Sequence, residues 1–221
     1  MIIMPIELLE QEKLVLTVIQ EYLNKNRYFN MKDILPFINS RFKMASVNIN
    51  NSGIEKILKT LTQKKLIVEG SKLTREDLLI NQKRSLIYEF IVKNPGTYFN
   101  RIVKELNLSN HVVIWHLEML LKFEFIKRQK IENHEIYFDF EYRLKNTELT
   151  YFTSKEKSKL IIDYLKKNDL GVPKTRLSTD LKLHINTATK YLTFLEHFQV
   201  VVKRKLSGKT LFFIHDNFLE T

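Results

Sequence analysis

Ile19-Gln-Glu-Tyr-Leu-Asn-Lys-Asn26, Ile87-Tyr-Glu-Phe-Ile-Val-Lys-Asn94 and Ile161-Ile-Asp-Tyr-Leu-Lys-Lys-Asn168 are one phrase written three times. Each reads Ile, any residue, acid, aromatic, Leu or Ile, any residue, Lys, Asn. The copies begin 68 and then 74 residues apart, a period too long for a solenoid repeat and suited to a small domain. The phrase predicts three copies of one module.

A second landmark fixes the rest of each copy. Leu106-x-Leu108, Leu117-x-x-Leu120 and Phe125-Ile126 recur 75 residues later as Leu181-x-Leu183, Leu192-x-x-Leu195 and Val200-Val201. In the first copy the frame is Leu58-x-x-Leu61 and Leu66-Ile67, with nine extra residues after the phrase. That insertion is expected near 38–46, lengthening the second helix or its exit loop. The expected modules are residues 1–80, 81–148 and 149–221.

Composition narrows the field. The 221 residues are 44% hydrophobic, enough for three small cores. Zero cysteines exclude disulfides, thiolate zinc sites and cysteine nucleophiles, and fit a reducing cytoplasm. The opening Met1-Ile-Ile-Met-Pro5 lacks the charged head of a secretory signal, and no run of about 18 apolar residues suits a membrane span. Five glycines and four prolines point to a helix-rich chain. Net charge is +11, and residues 149–221 hold 13 Lys/Arg against 7 Asp/Glu. A basic excess is the electrostatic footprint of a polyanion binder.

The middle copy reads most clearly. Ile87, Phe90 and Ile91 recur at helical spacing from Arg84 to Lys93, and Asn94-Pro95-Gly96 ends that helix. Ile102, Val103 and Leu106 mark a short second helix, and Ser109 is an N-cap for a third reaching about Lys122. Phe125–Ile131 and Glu135–Phe140 then flank Glu132-Asn133-His134 as a β-hairpin. The last copy repeats this order, with helices near 155–167 and 186–197 and a hairpin around Leu206-Ser-Gly-Lys209. The first copy has little room for a hairpin, and Thr74-Arg-Glu-Asp77 reads as the N-cap of a linker helix starting about 74. The fold class is mainly α with small β-hairpins.

Asn94-Pro-Gly96, Leu106-x-Leu108-Ser109, Val113-x-x-His116-Leu117-x-x-Leu120 and Phe125-Ile126 together resemble the winged helix-turn-helix regulators of the ArsR/MarR-like archaeal and bacterial kind. The likeness is best over residues 84–140. Glu124 stands where that pattern usually has a small residue, and His111-Val112 stands for its usual Gly-Thr. The resemblance implies three tandem winged helix-turn-helix modules and a DNA-binding role in transcription regulation.

In such a fold one face of the third helix serves its own core and the other meets the major groove. A 3.6-residue period makes Val113, His116, Leu117 and Leu120 the inward stripe of the middle copy. His111, Ile114, Trp115, Glu118 and Lys122 then face outward, and His116 reads as a hydrogen-bonded core residue. The last copy's outward set is Asn186, Thr189, Lys190, Thr193 and His197. The first copy's is Ser52, Glu55, Lys56, Lys59 and Gln63. Amide, hydroxyl and amine groups suit base edges and phosphates, and Lys203-Arg204-Lys205 with Lys209 suits a wing gripping a duplex. The candidate DNA-binding residues are Asn186, Thr187, Thr189, Lys190, Thr193, Lys203, Arg204, Lys205 and Lys209, with Ser109, Asn110, His111, Lys56 and Lys59 in the other copies.

Ile114 and Trp115 are read three ways: a thymine-methyl contact, a protein interface, or packing against a neighbouring module. With the acidic middle hairpin they favour a rival reading, a tandem winged-helix scaffold of the ESCRT-II or polymerase-associated type that binds protein. No phosphate loop, catalytic triad or metal-like histidine spacing appears, so no enzyme, cofactor, metal site or small-molecule ligand is expected. The expected partner is double-stranded DNA, with a protein partner or a second copy of the chain as further options.

Overall fold

The computed structural model describes residues 7–142, 147–206 and 208–219. Ser207, which the sequence places between the strands of the last hairpin, and the opening Met1–Pro5 lie outside them. Three helices come first: α1 Glu10–Lys25, α2 Met31–Met44 and α3 Asn51–Gln63. A 3-10 turn at Leu78–Ile80 leads to α4 Gln82–Lys93, β1 Thr97–Tyr98, α5 Phe99–Leu106, α6 Asn110–Lys122 and the strands β2 Ile126–Ile131 and β3 His134–Asp139. Then follow α7 Thr147–Ser154, α8 Glu156–Lys166, α9 Lys174–Asp180, α10 Ile185–His197, β4 Val201–Leu206, β5 Lys209–Ile214 and the short α11 Asp216–Leu219. The chain is mainly helical with small antiparallel sheets, as its sequence predicts. No helix among the described residues is long and apolar enough to cross a membrane.

Six helix ends are closed in one way. After α3, α6 and α10 the chain steps through Lys65, Glu124 and Gln199, all left-handed at φ +54°, +54° and +56°. The next amide then reaches back to the helix: Leu66 N to Leu61 O at 2.9 Å, Phe125 N to Leu120 O at 2.9 Å, Val200 N to Leu195 O at 2.8 Å. After α2, α5 and α9 the same device recurs at Ser46, Asn107 and Lys182, with φ +55°, +50° and +52°. This six-to-one closure satisfies the last carbonyls and turns the chain sharply. Glu124, out of place against the small residue usual there, holds the conformation that a glycine would adopt without strain.

The longer spacing of the first copy has a visible cause. α2 is 14 residues long where α5 has eight and α9 seven, so the extra residues near 38–46 extend a helix. The helix expected from about 74 begins instead at Gln82. Asp77 Oδ2 accepts from the Thr74 hydroxyl at 2.6 Å and from its amide at 3.3 Å, which closes a turn there rather than a helical start.

The described residues form two compact units, drawn from Met1–Phe90 with Ile102–Lys127 and from Ile91–Arg101 with Arg128–Thr221. In the first unit, α1–α3 surround a core of Val15, Ile19, Ile34, Ile38, Ile54 and Leu58. Buried Glu12 accepts from the Leu9 amide at 3.0 Å and from Lys64 Nζ at 3.0 Å, tying the start of α1 to the end of α3. Burial pushes its carboxyl up, but those two partners more than reverse this and leave it below the ordinary value. Arg75 donates to the Phe123 carbonyl and lies 4.3 Å from the Phe125 ring centroid, which binds the end of α6 to the same unit.

In the second unit, α8–α10 pack with β4 and β5 around Ile161, Leu165, Leu177, Leu192 and Val200. β4 and β5 pair antiparallel with Val201 opposite Ile214 and Lys205 opposite Thr210. β1 pairs antiparallel with β3, setting Thr97 opposite Tyr137, and the three-stranded sheet runs β1-β3-β2. Helix α7, which the sequence did not announce, crosses the expected boundary at 148. Its Tyr151 and Phe152 are buried with Ile131, Ile136 and Phe138, and Phe152 stacks on Phe194 at 4.3 Å. That aromatic seam is why the middle hairpin clusters with the last three helices.

Two substitutions probe these turns. Gln199→Gly relieves a left-handed side chain and should raise stability by about 0.5–1 kcal/mol, read by urea unfolding. Gly171 sits at φ +78°, and a Cβ there would run into the Phe213 ring. Gly171→Ala should therefore lower stability by about 1–3 kcal/mol.

Candidate nucleic-acid interface

α10 and the β4–β5 hairpin place the cationic candidates of the last copy in one unit. His184 caps α10, its Nδ1 accepting from the Asn186 amide at 3.2 Å. Ala188, Leu192 and Leu195 turn inward, while Asn186, Lys190 and Thr193 are exposed and Thr187 and Thr189 are partly buried. The hydroxyls of Thr189 and Thr193 are already donors: Thr189 Oγ1 to Ile185 O at 2.8 Å, Thr193 Oγ1 to Thr189 O at 3.0 Å. They offer a partner their lone pairs rather than their protons. Asn186 keeps an exposed amide and Lys190 an exposed ammonium, the latter 5.7 Å from the Phe194 ring centroid.

The β4–β5 hairpin is less cationic than its sequence. Lys203 Nζ pairs with Glu196 Oε1 on α10 at 2.8 Å. Arg204 stands 3.9 Å from Asp216 and lies over Phe213 at 5.2 Å. Exposed pairs of this kind are weak, yet they lower the local positive potential. Among the described residues no carboxylate reaches Lys205 or Lys209, which are both exposed at the open end of the hairpin. The four cations expected to act alike are thus two paired and two free.

The other copies present different surfaces. Ser109 holds the N-cap position of α6 without a side-chain bond, and Asn110 and His111 are exposed. On the middle hairpin Arg128 pairs with Glu135 at 3.1 Å, and Glu132 lies 3.8 Å from Lys155. On α3, Lys56 and Lys59 are exposed as expected, beside Ser52, Glu55 and Gln63. Among the described residues no strand pair follows α3; instead Phe29 N donates to Ser71 O at 2.7 Å and Gly70 N to Phe29 O at 2.8 Å. Among the described residues no group of three or more His, Asp or Glu side chains could hold a metal.

Ile114 and Trp115 are 44% and 51% exposed, so the outward assignment of this face holds. Trp115 is not a bare ring, however. The Arg84 guanidinium lies 5.1 Å from its centroid, and the His116 ring stands edge-on at 4.8 Å. Arg84 is 1% exposed and gives Nη1 to the Leu78 carbonyl at 2.6 Å, while its Nε has no partner. Arg84 and Trp115 border an open cavity of about 1170 Å³ in the first unit. Nothing in the sequence marked Arg84 or the cavity, because the 3-10 turn at Leu78–Ile80 that builds them has no periodic signature.

His116 is buried, as its stripe requires, but its Nδ1 has no hydrogen-bond partner, contrary to expectation. Burial, helped by the charges of Arg84 and Lys83, pulls its imidazole down to about 4. Unfolded histidine titrates near 6.5, so the folded state binds fewer protons between these values. The stability contribution is complete above about pH 6.5 and is lost as pH falls towards 4, by about 1–3 kcal/mol. Urea unfolding from pH 7 to 4.5 should show this loss in the wild type and a shallower slope in His116→Gln.

The sequence matches no family model. It is 30% identical over 148 residues to a protein described as an uncharacterized HTH-type transcriptional regulator of Methanocaldococcus jannaschii. The matched region is 67% of this chain and 37% of that protein, so the chain spans little more than a third of the relative's length. Over two thirds of its own residues, the chain is thus similar to a helix-turn-helix regulator.

Proposed function

We propose that the chain is a double-stranded DNA-binding transcriptional regulator, or a chromatin-associated factor of the same binding class, made of three tandem winged helix-turn-helix modules. The modules are residues 1–80, 81–148 and 149–221, and the last binds DNA most strongly. The observation that carries this reading is one unit holding both the exposed polar side of α10 and the free cations Lys205 and Lys209. In this reading Asn186 and Lys190 enter a major groove with Thr187, Thr189 and Thr193 beside them, and the hairpin grips the adjacent phosphates. The threefold recurrence of helix closures supports the modular part. The similarity to a regulator supports the functional part.

The middle module supports an interaction of another kind. The cations Arg128 and Lys155 near its hairpin are paired, and its third helix exposes Ile114 and Trp115. Such a surface suits protein better than phosphate, which is the scaffold reading applied to one module.

Fluorescence anisotropy with a random-sequence duplex, titrated against salt, separates the two. Lys205→Glu with Lys209→Glu should weaken binding to every duplex and flatten the log K against log salt slope by about 0.9 for each phosphate that the hairpin no longer neutralises. Glu196→Gln frees Lys203 and should tighten binding about two- to tenfold at low salt. Wild-type protein that ignores duplex at low salt would leave the scaffold reading standing alone.

A further inference from the structure

The Arg84 guanidinium is a buried charge in the first unit that its own neighbours do not balance. It is buried and donates to the Leu78 carbonyl, yet among the described residues it has no carboxylate partner and its Nε no acceptor. Withdrawing a charge from water without a counter-ion is strongly unfavourable. A buried polar group left in this state calls for a specific reason.

The cavity beside it supplies one. Its volume of about 1170 Å³ exceeds what a small organic molecule needs. Lys72 and Lys83 line it with Arg84, and both lysines are exposed. Asp77 is the one acid among the lining residues, and its Oδ2 is engaged by Thr74. Three cations against one carboxylate leave an excess of two positive charges. The first turn of α4 opens on the same space, adding the partial positive charge of a helix start. Trp115 contributes a half-exposed ring, and Asn24 and Asn81 contribute amides.

We propose that this cavity binds a mononucleotide-class effector, a planar base joined to a phosphate monoester. The phosphate, carrying about −1.5 to −2 charges at neutral pH, matches the excess set by Lys72, Lys83 and Arg84. The ring stacks on Trp115, as bases do on exposed aromatics. The side-chain amides meet the sugar and base edges. Binding there does not depend on α10 meeting a duplex.

Trp115 is the single tryptophan of the chain, so its emission reads the site directly. Full-length protein is titrated separately with AMP, adenosine, inorganic phosphate and a short DNA duplex. AMP should change the emission saturably, with adenosine and phosphate each at least about tenfold weaker. The Lys72→Ala, Lys83→Ala double variant alters two exposed side chains and should keep the far-UV spectrum. It should lose at least about tenfold in AMP affinity with little change for adenosine. No saturable response to AMP, equal affinity for phosphate alone, or an unaltered double variant would each overturn the proposal. A response to duplex alone would also overturn it and assign the cations to nucleic acid. The anisotropy assay with Lys205 and Lys209 variants reports on the hairpin separately, so failure of one reading is distinguishable from failure of the other.

Discussion

A left-handed residue followed by a six-to-one amide bond sets the geometry of this chain. The device ends α2, α5 and α9 and again α3, α6 and α10. At the second helix it fixes the turn into the third; at the third it fixes the direction in which the chain leaves. All six residues are non-glycine, so each carries the strain of a Cβ in a region that L-residues avoid. Such strain persists where the surrounding packing determines the backbone more strongly than the local preference does. After the third helices that packing is the buried Leu61, Leu120 or Leu195 whose carbonyl accepts each closing bond, and the apolar residue that donates it.

Much of this was legible because it is periodic. Inward and outward faces of α3, α6 and α10 follow from a 3.6-residue count alone, and burial agrees at every inward position of α6. Strand pairs followed from apolar runs around short polar turns. The longer α2 followed from a difference in spacing between landmarks. Glu124 looked like a departure in sequence and became intelligible only as a backbone angle.

The remainder depended on encounters between residues distant in sequence or on segments without period. β1 has two residues, and α7 is announced by no cap or repeat. The pairing of Lys203 with Glu196 joins a helix end to a strand, a relation no spacing rule contains. Arg84 looked like the first residue of a helix in sequence, and its burial against the Leu78 carbonyl and the Trp115 ring is not visible there. The division into units likewise follows from particular contacts, Arg75 on Phe123 and Phe125 in one and Phe152 on Phe194 in the other.

The root of the last hairpin has a mechanical consequence. Val172 exchanges both backbone bonds with Phe212, at 3.0 and 2.9 Å, so β5 is held on its second edge by a single residue next to Gly171. Beyond that clamp the hairpin projects as a short cantilever, three residues and about 10 Å in each strand, Arg204–Leu206 and Lys209–Leu211. Lys205 and Lys209 therefore stand past the last backbone support that the rest of the second unit gives the hairpin.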